Sequence, residues 1–92
     1  MTVYISGPIT GVHEYAKAFQ VAEDALVDYG HSVINPCKLP HNHSHSWENF
    51  MKEDLTALLK CDGIFMIAGW QESRGAKIEY ELAMQLGMKQ ID

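Results

Sequence analysis

Gly63-Ile64-Phe65-Met66-Ile67-Ala68 lies in a stretch without a polar side chain that reaches Trp70. A strand with one wet face alternates apolar and polar residues, whereas this one does not. It therefore reads as a central parallel strand covered on both faces. Working outward, Val3 to Ser6 is a short β-type run that stops at Gly7-Pro8, and Ile9-Thr10-Gly11 extends a loop whose glycines allow close backbone approach to a ligand. His31 to Ile34 is a second short strand, closed by Asn35-Pro36.

Between these runs the period changes from two to that of a helix. Tyr15, Phe19, Ala22, Leu26 and Tyr29 form one stripe, with Gly30 placed to end it. Trp47, Phe50, Met51, Leu55, Leu58 and Leu59 form a second, which Ser46 and the region of Asn49 are suited to cap. A third helix is expected from about Gly75 to Leu86, stopped by Gly87, and Met88 to Asp92 read either as one edge strand or as a disordered end. The order strand, helix, strand, helix, strand, helix predicts an α/β fold. Its expected form is a Rossmann-like or flavodoxin-like three-layer sandwich on a mostly parallel sheet of four or five strands, with binding loops at the strand C-termini.

At 92 residues, 47% apolar and 21% charged, the chain makes one domain over 1–92. A domain this size buries roughly 60 to 65% of its surface, so a homodimer or higher homo-oligomer is expected to help stability. Cys37 and Cys61 form no C-x-x-C pattern and read as reduced thiols, which points to the cytoplasm. No apolar run approaches the roughly 20 residues of a membrane helix. The formal charge of -5 and the lack of a Lys/Arg cluster argue against a nucleic-acid polymer as partner. A single small anion is not excluded, because helix N-termini hold phosphate without a basic patch. No cofactor is expected.

Two acids fall where acids are costly. Glu79 shares a helix face with Leu82, Ala83 and Leu86, whereas Glu81 points about 200° away, toward water. A Glu on the buried side has to be paired, neutralised or used at a cavity. Asp54 lies at the edge of the second stripe, four after Phe50 and four before Leu58, where it is either solvated, capping a neighbour or functional. Glycoside chemistry uses such carboxylates, one to attack or stabilise C1 and other groups to orient the sugar or handle the base's proton.

Ser73 precedes Gly75-Ala76 at the expected start of the third helix, where its hydroxyl either caps the helix or, with the free N–H groups, meets a phosphate or sugar hydroxyl. His41, His43 and His45 alternate in an Asn/Ser-rich loop without an acid or Cys at a recognised spacing, so a solvated loop or an active-site lid is preferred to a metal site. Tyr4, Trp47 and Trp70 are open between core and site, Trp70 being placed best to touch a ligand or another subunit.

Taken together, Tyr4-Ile5-Ser6-Gly7-Pro8-Ile9, Glu53-Asp54-Leu55 and Ser73-x-Gly75-x-x-x-Glu79 resemble the nucleoside 2-deoxyribosyltransferase superfamily, which includes the 2′-deoxynucleoside 5′-phosphate N-hydrolases. The likeness looks closest to short members found in bacteriophage genomes, which would place the protein in a host's cytoplasm. By that resemblance Glu79 is the nucleophile that attacks C1′ of the deoxyribose, Asp54 binds and orients the sugar, and Tyr4 lies beside the nucleophile. Gly7, Pro8, Ile9, Ser73, Gly75 and Trp70 would contact the nucleoside or nucleotide. Ser73, six before the nucleophile, resembles the nucleotide hydrolases. Gly7-Pro8 resembles the transferases, because the hydrolases' Ser and Arg in this loop are here Pro8 and Thr10. Family members usually continue into a tail that reaches a neighbouring subunit's site, and this sequence stops at Asp92. A nucleotide-binding protein that sequesters or regulates without turnover is therefore the alternative to an enzyme.

Overall fold

The computed structural model describes residues 1–41 and 46–92. Its elements run β1 (Thr2–Ser6), α1 (Tyr15–Asp28), β2 (Ser32–Ile34), α2 (Trp47–Leu58), β3 (Gly63–Met66), α3 (Arg74–Gln85) and β4 (Lys89–Ile91), with short 3-10 turns at Pro36–Lys38 and Trp70–Glu72. The four strands are all parallel, in the order β2-β1-β3-β4. Met88 to Asp92 thus supply an edge strand: Gly63 pairs with Lys89 and Phe65 with Ile91.

The strand pleat separates two cores. Val3 and Ile5 face α1 and pack with Phe19, Ala22 and Leu26. Tyr4 and Ile64 face the other way and pack with Leu58 of α2, Cys61 and Ala83 of α3. The result is the three-layer α/β sandwich expected of this element order. The strand order places a topological switch between β1 and β3, where loops leaving the sheet's C-terminal edge diverge and open a crevice.

The helical stripes overrun the helices at their C-terminal ends. Tyr29 is 87% exposed, and Leu59 and Leu86 are also exposed, because each occupies a C-cap where the chain is already turning away. Gly30 (φ 92°) follows Tyr29 in the left-handed region and closes α1: its N–H donates to Val27 O at 2.9 Å, and the His31 N–H to Leu26 O at 3.1 Å. Gly87 closes α3 in the same way, with the Met88 N–H reaching Ala83 O at 2.9 Å. The expected strand Gly63 to Ala68 ends at Met66, where Ile67 gives its N–H to Ser6 O at 2.8 Å before the chain turns at Gly69.

The polar stretch after β2 is braced rather than loose at its start. The Asn35 side-chain oxygen accepts the Cys37 N–H at 3.0 Å, and its amide nitrogen donates to Glu23 Oε1 on α1 at 3.1 Å. Lys38 Nζ donates to Glu23 Oε2 at 2.9 Å, and these bonds hold the Glu23 carboxyl below its usual range. The segment leading to His41 is thereby tied to the body of the domain. Among the described residues, no helix is long and apolar enough to cross a membrane.

Candidate active site

The site begins with the period of two in β1. If Val3 and Ile5 face α1, then Tyr4 and Ser6 must face α2 and α3, and both are fully buried there. On α3, Glu79 comes between them, 5% exposed. Tyr4 Oη–H donates to Glu79 Oε2 at 2.7 Å and Ser6 Oγ–H donates to Oε1 at 2.6 Å. Each carboxylate oxygen accepts one hydroxyl and keeps a second lone pair. The acid required to be paired, neutralised or in use is therefore paired with two neutral donors and has no cation on it among these contacts.

That environment sets its chemistry. Burial pushes the Glu79 carboxyl up to about 7; the Ser6 and Tyr4 bonds oppose the rise, and the negative charge of Asp54 adds to it. Burial, followed by the charges of Glu79 and Asp54, drives the Tyr4 phenol far above its ordinary range, so Tyr4 remains a donor.

Asp54 stands on α2 with its side chain 13% exposed, and His41 Nε2 lies 2.7 Å from its Oδ1. The His41 ring, 15% exposed, tilts against Phe50 with centroids 4.9 Å apart. Burial raises the Asp54 carboxyl, while the bond and charge of His41 pull it back down.

Glu79, Asp54 and His41 line one cavity of about 1010 Å³ at the C-terminal edge of the sheet, large enough for a nucleoside. The loop after β1 contributes Gly7, Pro8 and Ile9, and the start of α3 contributes Ser73 and Gly75. Tyr4 is not in the lining; it sits behind Glu79. Gly7 and Gly75 border the cavity, and packing alone accounts for their missing side chains. A Cβ on Gly7 would lie 2.8 Å from Ile67 Cβ, and one on Gly75 would lie 3.0 Å from Met51 Sδ. Ser73 is a helix cap, its Oγ accepting the Ala76 N–H at 3.2 Å. Trp70 does not line the cavity and stacks on Tyr80 with centroids 4.6 Å apart.

Sequence reasoning missed three contributors. Ser6 was legible, since it is two residues from Tyr4 on one strand and so shares its face. His41 stands in a histidine alternation that reads as a solvated loop or an active-site lid, and its pairing with Asp54, 13 residues away, has no local signal. Arg74 borders the cavity with its guanidinium carbon 4.3 Å from the centre of the Trp47 ring, a pairing no local spacing announces. Among the described residues no three His, Cys, Asp or Glu side chains gather as a metal site requires. His43 and His45 lie outside the described residues.

The site is a buried, hydroxyl-bound glutamate at the switch-point crevice of a parallel α/β sandwich. The chain belongs to the family described as Domain of unknown function (DUF4406), which matches residues 1–92. No curated protein matches it. Among solved structures it is similar to a 2-deoxyribosyltransferase from the psychrotolerant bacterium Bacillus psychrosaccharolyticus, characterised as a biocatalyst for the synthesis of antiviral and antitumoral nucleosides. The two share 27% identity over 98% of this chain and 69% of that one, with a TM-score of 0.75.

Proposed function

We propose that this protein breaks or exchanges the N-glycosidic bond of a 2′-deoxynucleoside or its 5′-monophosphate, with Glu79 as nucleophile. The observation that carries the proposal is Glu79 itself: a carboxyl at the wall of a nucleoside-sized cavity, with both oxygens held by buried hydroxyls and a midpoint of about 7. A purely structural acid gains nothing from facing a cavity at that cost. The solved 2-deoxyribosyltransferase of the same fold supports the choice of bond.

In the first step a Glu79 oxygen forms a bond to C1′ as the C1′–N bond breaks. The electron pair leaves with the base, which takes up a proton from solvent. In the second step an acceptor base or water attacks C1′, gives up its proton to solvent and frees the carboxylate. Two displacements retain the configuration and replace one difficult step by two easier ones. Tyr4 and Ser6 orient the nucleophile, and Asp54 receives a sugar hydroxyl.

Arg74 and Ser73 support a 5′-phosphorylated substrate, because a guanidinium and a helix N-terminus meet at the cavity edge. Arg74 would then supply the cation missing from the loop after β1.

The test is release of free base from each deoxynucleoside and its monophosphate, with and without an acceptor base. Glu79→Gln is expected to lower turnover by about a thousandfold or more, as for loss of a covalent nucleophile. Turnover that survives this change removes Glu79 from its role. Ligand-induced stabilisation without base release from the unaltered protein favours a binding protein.

A further inference from the structure

Asp54 and Glu79 create a problem that the glycosyl reading leaves open. Two largely buried carboxyls at one cavity disfavour each other's ionisation, and the charge of Asp54 does add to the rise at Glu79. Glu79 is held by neutral hydroxyls, whereas Asp54 has an imidazole nitrogen at 2.7 Å. His41 reaches Asp54 from a segment braced to α1 through Asn35, Lys38 and Glu23.

We infer that His41 is a positioning residue for Asp54: by occupying Oδ1 it fixes the carboxylate's rotation, retains its negative charge, and leaves Oδ2 to meet a sugar hydroxyl. The substrate in this inference rests on the proposed glycosyl chemistry; the coupling between the two side chains does not. Fixing the acceptor in advance spares substrate binding the cost of ordering it. The titratable and charged groups around the pair are Glu79 on α3, Tyr4 on β1, Cys37 on the turn after β2 and Glu53 on α2. Glu72 and Arg74 complete the charged lining of the cavity. Of these, Glu53 adds to the burial that raises Asp54, so His41 is the group that counters both.

The bland account makes His41 a flat filler packed on Phe50. Two substitutions in the full chain separate the accounts. His41→Phe keeps a ring against Phe50 and removes the N–H, whereas His41→Gln offers an N–H near the Nε2 position without a titrating ring. Two readouts are needed: KM and kcat for base release, and the titration of the Asp54 carboxyl carbon in protein labelled at aspartate, assigned with Asp54→Asn.

His41→Phe is expected to raise KM about tenfold, with a smaller change in kcat, and to move the Asp54 midpoint upward by roughly one unit. His41→Gln should restore most of the KM. An Asp54 midpoint and a KM both unchanged in His41→Phe would overturn the inference. If the unaltered protein releases no base, the glycosyl reading fails, and the Asp54 titration still decides: a midpoint that moves in His41→Phe upholds the positioning role, and one that does not overturns it.

Discussion

Strand β1 presents one face to oil and the other to chemistry, and it does so by simple alternation. Val3 and Ile5 meet Phe19, Ala22 and Leu26 beneath α1, a layer of apolar atoms. Tyr4 and Ser6, interleaved with them, meet Glu79 across the opposite face. The first face stabilises the domain by removing apolar surface from water. The second contains a carboxyl whose ionisation opposes folding, because the neighbouring aliphatic core of Leu58, Ile64 and Ala83 gives a charge no solvation, and it is tolerated because two hydroxyls satisfy it. The contrast shows where stability and function part company: the same five-residue strand serves both, with the division set by residue parity.

The two faces should respond most differently to Phe19→Ala. This ring is fully buried on the α1 face, and its removal should cost about 3 to 5 kcal/mol in a urea melt without moving the Glu79 titration. A shift in the Glu79 midpoint would show that the two faces are not independent.

Glu79→Gln should act in the opposite direction. The Glu79 midpoint lies at about 7 against an ordinary 4.5, so the folded state holds its proton more tightly than the unfolded chain. Stability therefore falls as pH rises from about 4.5 to 7, and the full cost, about 3 kcal/mol, is present above 7 and absent below 4.5. A glutamine carries no such charge. The variant should gain about 1 to 3 kcal/mol over the natural protein at pH 8 and little at pH 4, as read from paired denaturation curves, while losing turnover. Equal effects at both pH values would mean that Glu79 is not ionising inside the fold.

Tyr4→Phe sharpens the same face on a smaller scale. The lost hydroxyl stabilised the carboxylate form, so the Glu79 midpoint should rise further, by roughly one unit, when followed by carboxyl carbon resonances. A fall would contradict the role of Tyr4 as donor.

How much of this was readable in the sequence follows from the range of the signals. The three helices, the succession of strands and helices along the chain and the burial of Glu79 were legible because each rests on local periodicity: Glu79 against Leu82 and Ala83, or Phe19 against Ala22 and Leu26. Tyr29, Leu59 and Leu86 misled because periodicity does not register where a helix stops turning. The edge strand at Lys89–Ile91 was left open because its stability comes from pairing with β3, which lies outside the segment. The site was half legible. Glu79 and Asp54 stood out as acids on apolar faces, and the family resemblance joined them to Tyr4. Ser6 followed from parity and was overlooked, whereas His41 reaches Asp54 only through the path taken by the chain between β2 and α2. The loop position of Trp70 suggested a contact with a ligand or another subunit, and within this chain its ring stacks on Tyr80 outside the cavity lining.

The proposed chemistry requires a bond between Glu79 and a sugar carbon, and the most direct measurement looks for that bond. The protein is mixed with 2′-deoxynucleosides and their 5′-monophosphates in the absence of an acceptor base, quenched in acid, digested, and its peptides weighed. One deoxyribosyl group on the peptide that contains Glu79, absent in Glu79→Gln, is the expected result. Free base appearing while that peptide remains unmodified, or no base appearing from any of these compounds, would contradict it.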